Sequence, residues 1–174
     1  MPSLAKTLAM THPVSPLLRK ARRFGVSDVN DMLDLAATRG CRHYSVNDME
    51  EFPAVSSVEL SDLELTVLLL LGENTYNPTA IRCAAQLARS PRVDPLRLAR
   101  LAIMEKCERV LAHIARAGIV HDSEGAIFWK DLLEILPAPP VRPEPHLPHW
   151  SRFVSMPGIQ RSGVTSTRWL VPQP

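Results

Sequence analysis

Between Thr79 and Arg116 the chain places Arg82, Arg89, Arg92, Arg97, Arg100, Lys106, Arg109 and Arg116 against only Asp94, Glu105 and Glu108. A local excess of cations is the footprint that phosphate binding requires, because each cation neutralises a backbone charge and releases counterions. The plainer reading of the same residues is a solvated helical face with ordinary surface ion pairs. Other chemistry is thinner. Cys41 with His43, or Cys107 with His113, invites a metal, but neither pair has the spacing of structural zinc and no further ligand lies nearby. No metal and no other cofactor is therefore expected. Ser, His and Asp occur in no nucleophile-elbow context or triad order, and no glycine-rich phosphate loop is present, so no catalytic residue and no enzymatic activity are expected.

The bulk numbers narrow the class without deciding it. A chain of 174 residues fits one domain plus extensions and can bury a real core. Its 45% hydrophobic content and net charge of +2 exclude a strongly basic or acidic protein. Three widely spaced cysteines, Cys41, Cys83 and Cys107, make no disulfide framework and suit reducing conditions. The longest apolar run, "LTVLLLLG", falls far short of the ~20 residues a membrane span needs, and no secretory apolar segment is visible. A cytoplasmic protein without membrane contact is expected.

Four stretches differ in composition. Residues 1–26 hold Lys6, Arg19, Lys20, Arg22 and Arg23 and no acid, with a short helix expected at "PLLRKARRFG". A basic, flexible N-terminal arm is expected; the make-up is also that of an organellar import sequence. Residues 27–56 are an acidic helical lead-in. Ser27 can cap a helix carrying Val29, Met32, Leu33 and Ala36, which Gly40 ends, and Ser45 opens a second short element that Pro53 stops.

Residues 57–137 are the expected core domain. Ser61 and Glu64 have capping-box spacing before a leucine-rich helix that Gly72 stops. Asn77-Pro78 opens a second helix, and Asp94-Pro95 a third that runs to Gly118. Leu96, Ile103, Cys107, Val110 and Ile114 form its core stripe, which leaves Leu98, Leu101 and Ala102 facing away. The stretch "GIVHDSEGAIFWK" then predicts a β-hairpin, with apolar runs flanking "HDSEG". A short helix, "KDLLEIL", precedes Pro137. Residues 138–174 are a proline-rich, irregular C-terminal tail in which Trp150, Phe153 and Trp169 suggest docking onto something.

Three helices followed by a small hairpin is the order of a winged helix-turn-helix domain, and residues 63–133 resemble that superfamily. "MEKCERVLAHIARAGIV" looks like the end of its recognition helix running into the wing. The expected fold is mainly α: a winged-helix-like three-helix core with one small β-hairpin, N-terminal helices and the irregular tail. The resemblance implies duplex DNA as partner, with the third helix in the major groove. Arg92 and Arg97, near that helix's start, would then meet base edges, Arg82 and Arg89 would meet phosphates, and Arg100 would join them.

Two features oppose this. Asp122 and Glu124 at the wing tip would repel phosphate, and an outer helix side bearing Leu98 and Leu101 is wrong for a groove. The leading expectation is a non-enzymatic, transcription-associated DNA-binding protein acting as a dimer. The alternative is a protein-interaction module using Leu98, Leu101, Trp150 and Trp169 as its homodimer or partner contact. For Leu98 and Leu101, burial against the chain's own flanks is the plainer reading.

Overall fold

In the computed structural model the described residues are 14–41, 59–138, 149, 154–155 and 168–173. They form seven α-helices: α1 (Pro16–Arg23), α2 (Val29–Thr38), α3 (Asp62–Leu68), α4 (Pro78–Leu87), α5 (Pro95–Met104), α6 (Glu108–His121) and α7 (Ala126–Ile135). A 3-10 turn, Gly72–Tyr76, leads into α4. Among the described residues the only strand pairing is a two-residue antiparallel ladder of β1 (Val154–Ser155) with β2 (Arg168–Trp169).

Local chemistry explains where five helices begin. Ser15 caps α1, its hydroxyl oxygen accepting from the Leu18 N–H, and Pro16 takes the first turn. Asp28, rather than Ser27, caps α2 in a reciprocal box with Asp31. Ser61 and Glu64 form the same box on α3. Asn77 accepts from the N–H groups of Thr79 and Ala80 at the start of α4, and Asp94 accepts from the Arg97 N–H at the start of α5. Each cap satisfies backbone donors that helix geometry leaves without partners.

The expected third helix is two helices. α5 ends at a Schellman turn in which the Cys107 N–H reaches the Ala102 carbonyl and the Lys106 N–H reaches that of Ile103. Lys106 occupies the left-handed position at φ 61°, where glycine is usual. The break rotates the chain between the two halves, so one stripe does not run through both. Cys107, Val110 and Ile114 are buried as expected, but Leu96 and Ile103 point outward and Leu98, Ala99 and Ala102 point in.

The expected β-hairpin over 118–130 is not formed, and with it goes the wing. Gly118 lies inside α6 rather than at its end. A side-chain carbon there would stand 2.5 Å from the Trp129 ring, so the glycine is a notch that admits the indole. Residues 122–125 are a tight turn between two helices. Beyond it, Trp129, Leu132 and Leu136 are buried at helical spacing while Ile127 is exposed, as is Val120 before the turn. α6 and α7 share the most extensive helix contact, α5 packs across α7, and α3 lies against α4 and α5. The core between them contains Leu65, Leu68, Leu69, Leu70, Ile81, Leu87, Leu98, Leu111 and Ile114, all inaccessible to solvent. Among the described residues no helix is long and apolar enough to cross a membrane.

Candidate interaction surface

The arginines expected to act together are put to different uses. Arg89, only 17% exposed, donates from Nε to Asp122 Oδ2 at 2.6 Å, and its guanidinium lies 5.7 Å from the Phe128 ring centre. Asp122 is itself buried. Its Oδ2 also accepts from the Trp129 indole N–H at 2.7 Å, and its Oδ1 from the Gly125 N–H at 3.0 Å. This carboxylate therefore locks the α6–α7 turn onto the end of α4. Gly125 is required beside it, since an added carbon would stand 2.1 Å from Asp122 Oδ2.

Arg92 belongs to a second buried carboxylate. Asp62 accepts from Arg39 at 2.7 Å and from the Ser90 hydroxyl at 2.5 Å, and Arg92 Nε approaches it at 3.3 Å while remaining 76% exposed. The cluster fastens the start of α3 to the end of α2 and to the α4–α5 link. Arg82 is half-buried on α4 and has interactions of its own. So Arg89 is paired inside with a buried carboxylate, whereas Arg92 stays largely exposed beside one.

Arg97 and Arg100 are different. Both are exposed on α5, and among the described residues neither has an ion-pair partner. At ~100° per residue they share one stripe, roughly 120° wide, with Ile103, Leu96 and Met104. Those three apolar side chains are 39%, 41% and 76% exposed. The C-terminal end of the stripe meets the start of α1: Glu105 accepts from the Ser15 hydroxyl and, at 3.2 Å, from the Leu17 N–H. Exposed Val14 adjoins that junction.

The expected apolar contact residues fall elsewhere. Leu98 is wholly buried in this chain's own core and Leu101 is half-buried against it, so the surface once assigned to them is the inward side of α5. Trp169 is buried too, packed edge-on against Trp129 with ring centres 5.1 Å apart. Trp150 lies outside the described residues. The exposed set Leu96, Ile103 and Met104 escaped the sequence reading because two helical phases were available. The competing pattern, Leu98, Ala99 and Ala102, is equally periodic and is the one that packs.

No nucleophile emerges from the thiols. Cys41 and Cys83 are both buried, and a hydrogen bond with the Cys41 thiol, together with burial, holds the Cys83 thiol well above the usual range. Burial, then the charges of Glu108 and Glu105, push Cys107 up to about 12. The Cys83 and Cys107 thiols therefore stay protonated and inert at neutral pH. Among the described residues no group of three or more His, Cys, Asp or Glu side chains is arranged to hold a metal ion. His43 lies outside them. Comparisons of the chain with family models, curated proteins and solved structures found no match.

Proposed function

We propose that the protein is a non-enzymatic helical interaction module whose α5 outer face binds an acidic amphipathic segment of a partner protein. The observation that carries this reading is the stripe of Leu96, Ile103 and Met104 interleaved with Arg97 and Arg100. Apolar side chains left in water at helical spacing favour a helix-in-groove or helix-on-helix partner. Two arginines within the same stripe select for carboxylates on that partner, and an acidic segment supplies them. Duplex DNA fits this face less well. Leu96, Ile103 and Met104 offer no contact to phosphate, and Arg89 is already engaged with Asp122.

The test is peptide display on the full-length protein, followed by fluorescence anisotropy of selected and labelled sequences. Selected peptides should combine Asp or Glu with Leu, Phe or Met at helical spacing. Their affinity should fall at least tenfold in a Leu96→Glu, Met104→Glu variant that keeps the wild-type circular dichroism spectrum. Peptides without acidic residues, or binding indifferent to that variant, would overturn the reading. A labelled random duplex is titrated in parallel at low and moderate salt. Steeply salt-dependent binding that disappears in Arg97→Ala, Arg100→Ala would transfer the face to DNA.

A further inference from the structure

The last described residues, 168–173, lie in a groove lined by the turn after α2, one side of α4, and Trp129 of α7. Trp169 enters it side chain first, its indole N–H donating to the Ala85 carbonyl at 3.2 Å. Gln86 donates from Nε2 to the Val171 carbonyl at 3.1 Å and to the Gly40 carbonyl at 3.4 Å. The Gln173 N–H completes the set with a 3.0 Å bond to that same Gly40 carbonyl. Gly40 sits at φ 97°, and an added side-chain carbon would stand 2.0 Å from the Gln173 carbonyl oxygen.

Two properties mark this as recognition of a segment rather than ordinary core packing. The segment's hydrogen bonds to the groove come from its tryptophan N–H and its main chain, the pattern by which proteins bind extended peptides. The groove also has polar capacity that this occupant leaves unused. Gln86 is buried, its amide N–H groups serve two carbonyls, and among the described residues its Oε1 has no partner. Turning the amide over would not help, since it would set that oxygen against the carbonyls of Gly40 and Val171. Pro172, in the middle of the segment, has no N–H to offer it.

We propose that this groove is a binding site for extended, tryptophan-bearing peptide segments, and that residues 168–173 are its built-in, exchangeable occupant. Binding in trans needs no new contact. Val154–Ser155 pairs with Arg168–Trp169 and adds to the hold on the tethered copy, and tethering raises its effective concentration over that of a free peptide. A free segment of the same chemistry meets a site that is already occupied, and it gains access when the tethered copy leaves.

The probe is a fluorescein-labelled peptide of residues 165–174, with a second peptide carrying Ala in place of Trp169. Titrated against full-length protein bearing Trp169→Ala, the native peptide should bind, and the Ala peptide at least tenfold more weakly. Wild-type protein should bind the native peptide at least tenfold more weakly than the variant does, because its own segment competes. Gln86→Ala in the variant background should reduce binding again. No binding to a folded Trp169→Ala protein would overturn the proposal. Should that variant fail to fold, a thrombin site placed ahead of residue 168 in the wild type serves instead. After cleavage the segment should dissociate on dilution, with the helical circular dichroism retained and the labelled peptide then accepted. Unfolding on release would show the segment to be an obligatory part of the core and sink the idea.

Discussion

Gly118→Ala opposes two effects of known sign. On an exposed helix the change stabilises by about 1 kcal/mol, because glycine is the poorer helix former. Here the new methyl would stand 2.5 Å from Trp129 Cε2 and Nε1 and 2.6 Å from Cδ1. Carbon atoms in contact prefer ~3.5–4.0 Å, so the indole must retreat by about 1 Å. It has little room, since it is wholly buried and its N–H is bonded to Asp122 Oδ2 at 2.7 Å. Overpacking of this kind costs ~1–3 kcal/mol. Losing a hydrogen bond to a charged group costs a further ~1.5–3 kcal/mol. After the helix-propensity gain, the variant should be about 3 kcal/mol less stable. With a urea slope near 2 kcal/mol per molar, the unfolding midpoint should fall by about 1.5 M. Urea titration followed by far-ultraviolet circular dichroism and tryptophan fluorescence reads this directly. In a Trp129→Leu background the same change should cost under about 1 kcal/mol, since the ring it collides with is gone. A midpoint that stays put or rises in the wild-type background would refute the notch, and with it the account of why α6 continues past Gly118.

Further outcomes follow from other positions. Lys106→Gly relieves a left-handed residue at the α5–α6 turn and should raise stability by about 0.5–1 kcal/mol in the same titration; a loss would mean that the lysine side chain makes a contact the turn depends on. Cys107 titrates at about 12 when folded against 9.0 for an ordinary thiol. The folded state therefore holds the proton more tightly, and the stability this confers is complete below pH 9 and lost as pH rises toward 12. Compared with Cys107→Ala, the wild type should lose about 1.4 kcal/mol between pH 8 and pH 10; parallel curves would refute the burial argument. Arg89→Ala strands the buried Asp122 carboxylate and should cost about 3 kcal/mol. Arg92→Ala, at a largely exposed side chain, should cost no more than about 0.5 kcal/mol. Equal effects would mean that the two arginines have the same environment after all.

Helix starts marked by a polar side chain were legible in the sequence. Ser61 with Glu64, Asn77 before Pro78, and Asp94 before Pro95 each satisfy backbone donors only two or three residues away, so the signal and its target share one short window. The two helices misread there, α6 and α7, begin at Cys107 and Gly125 with no side-chain cap. Their limits come from elsewhere: a lysine in a left-handed turn for one, a glycine pressed against Asp122 and Arg89 for the other. Gly118 shows why such residues mislead, because one residue type ends a helix in solvent and admits an indole inside a core.

Burial was decided in the same way. Leu96 with Ile103 and Leu98 with Ala102 are both valid helical stripes, and only the arrival of α3 and α7 chose the second. The arginines are indistinguishable locally. Arg89 becomes structural because Asp122 comes to it from 33 residues away, whereas Arg97 and Arg100 stay on the surface. Trp169 finds the Ala85 carbonyl across 84 residues. The sequence alone determined a mainly helical chain and most of its helix starts, because capping and periodicity act over single turns. Which face is buried, which charge is spent inside and which groove the C-terminal segment fills are properties of contacts between distant residues, and only the folded chain brings those together.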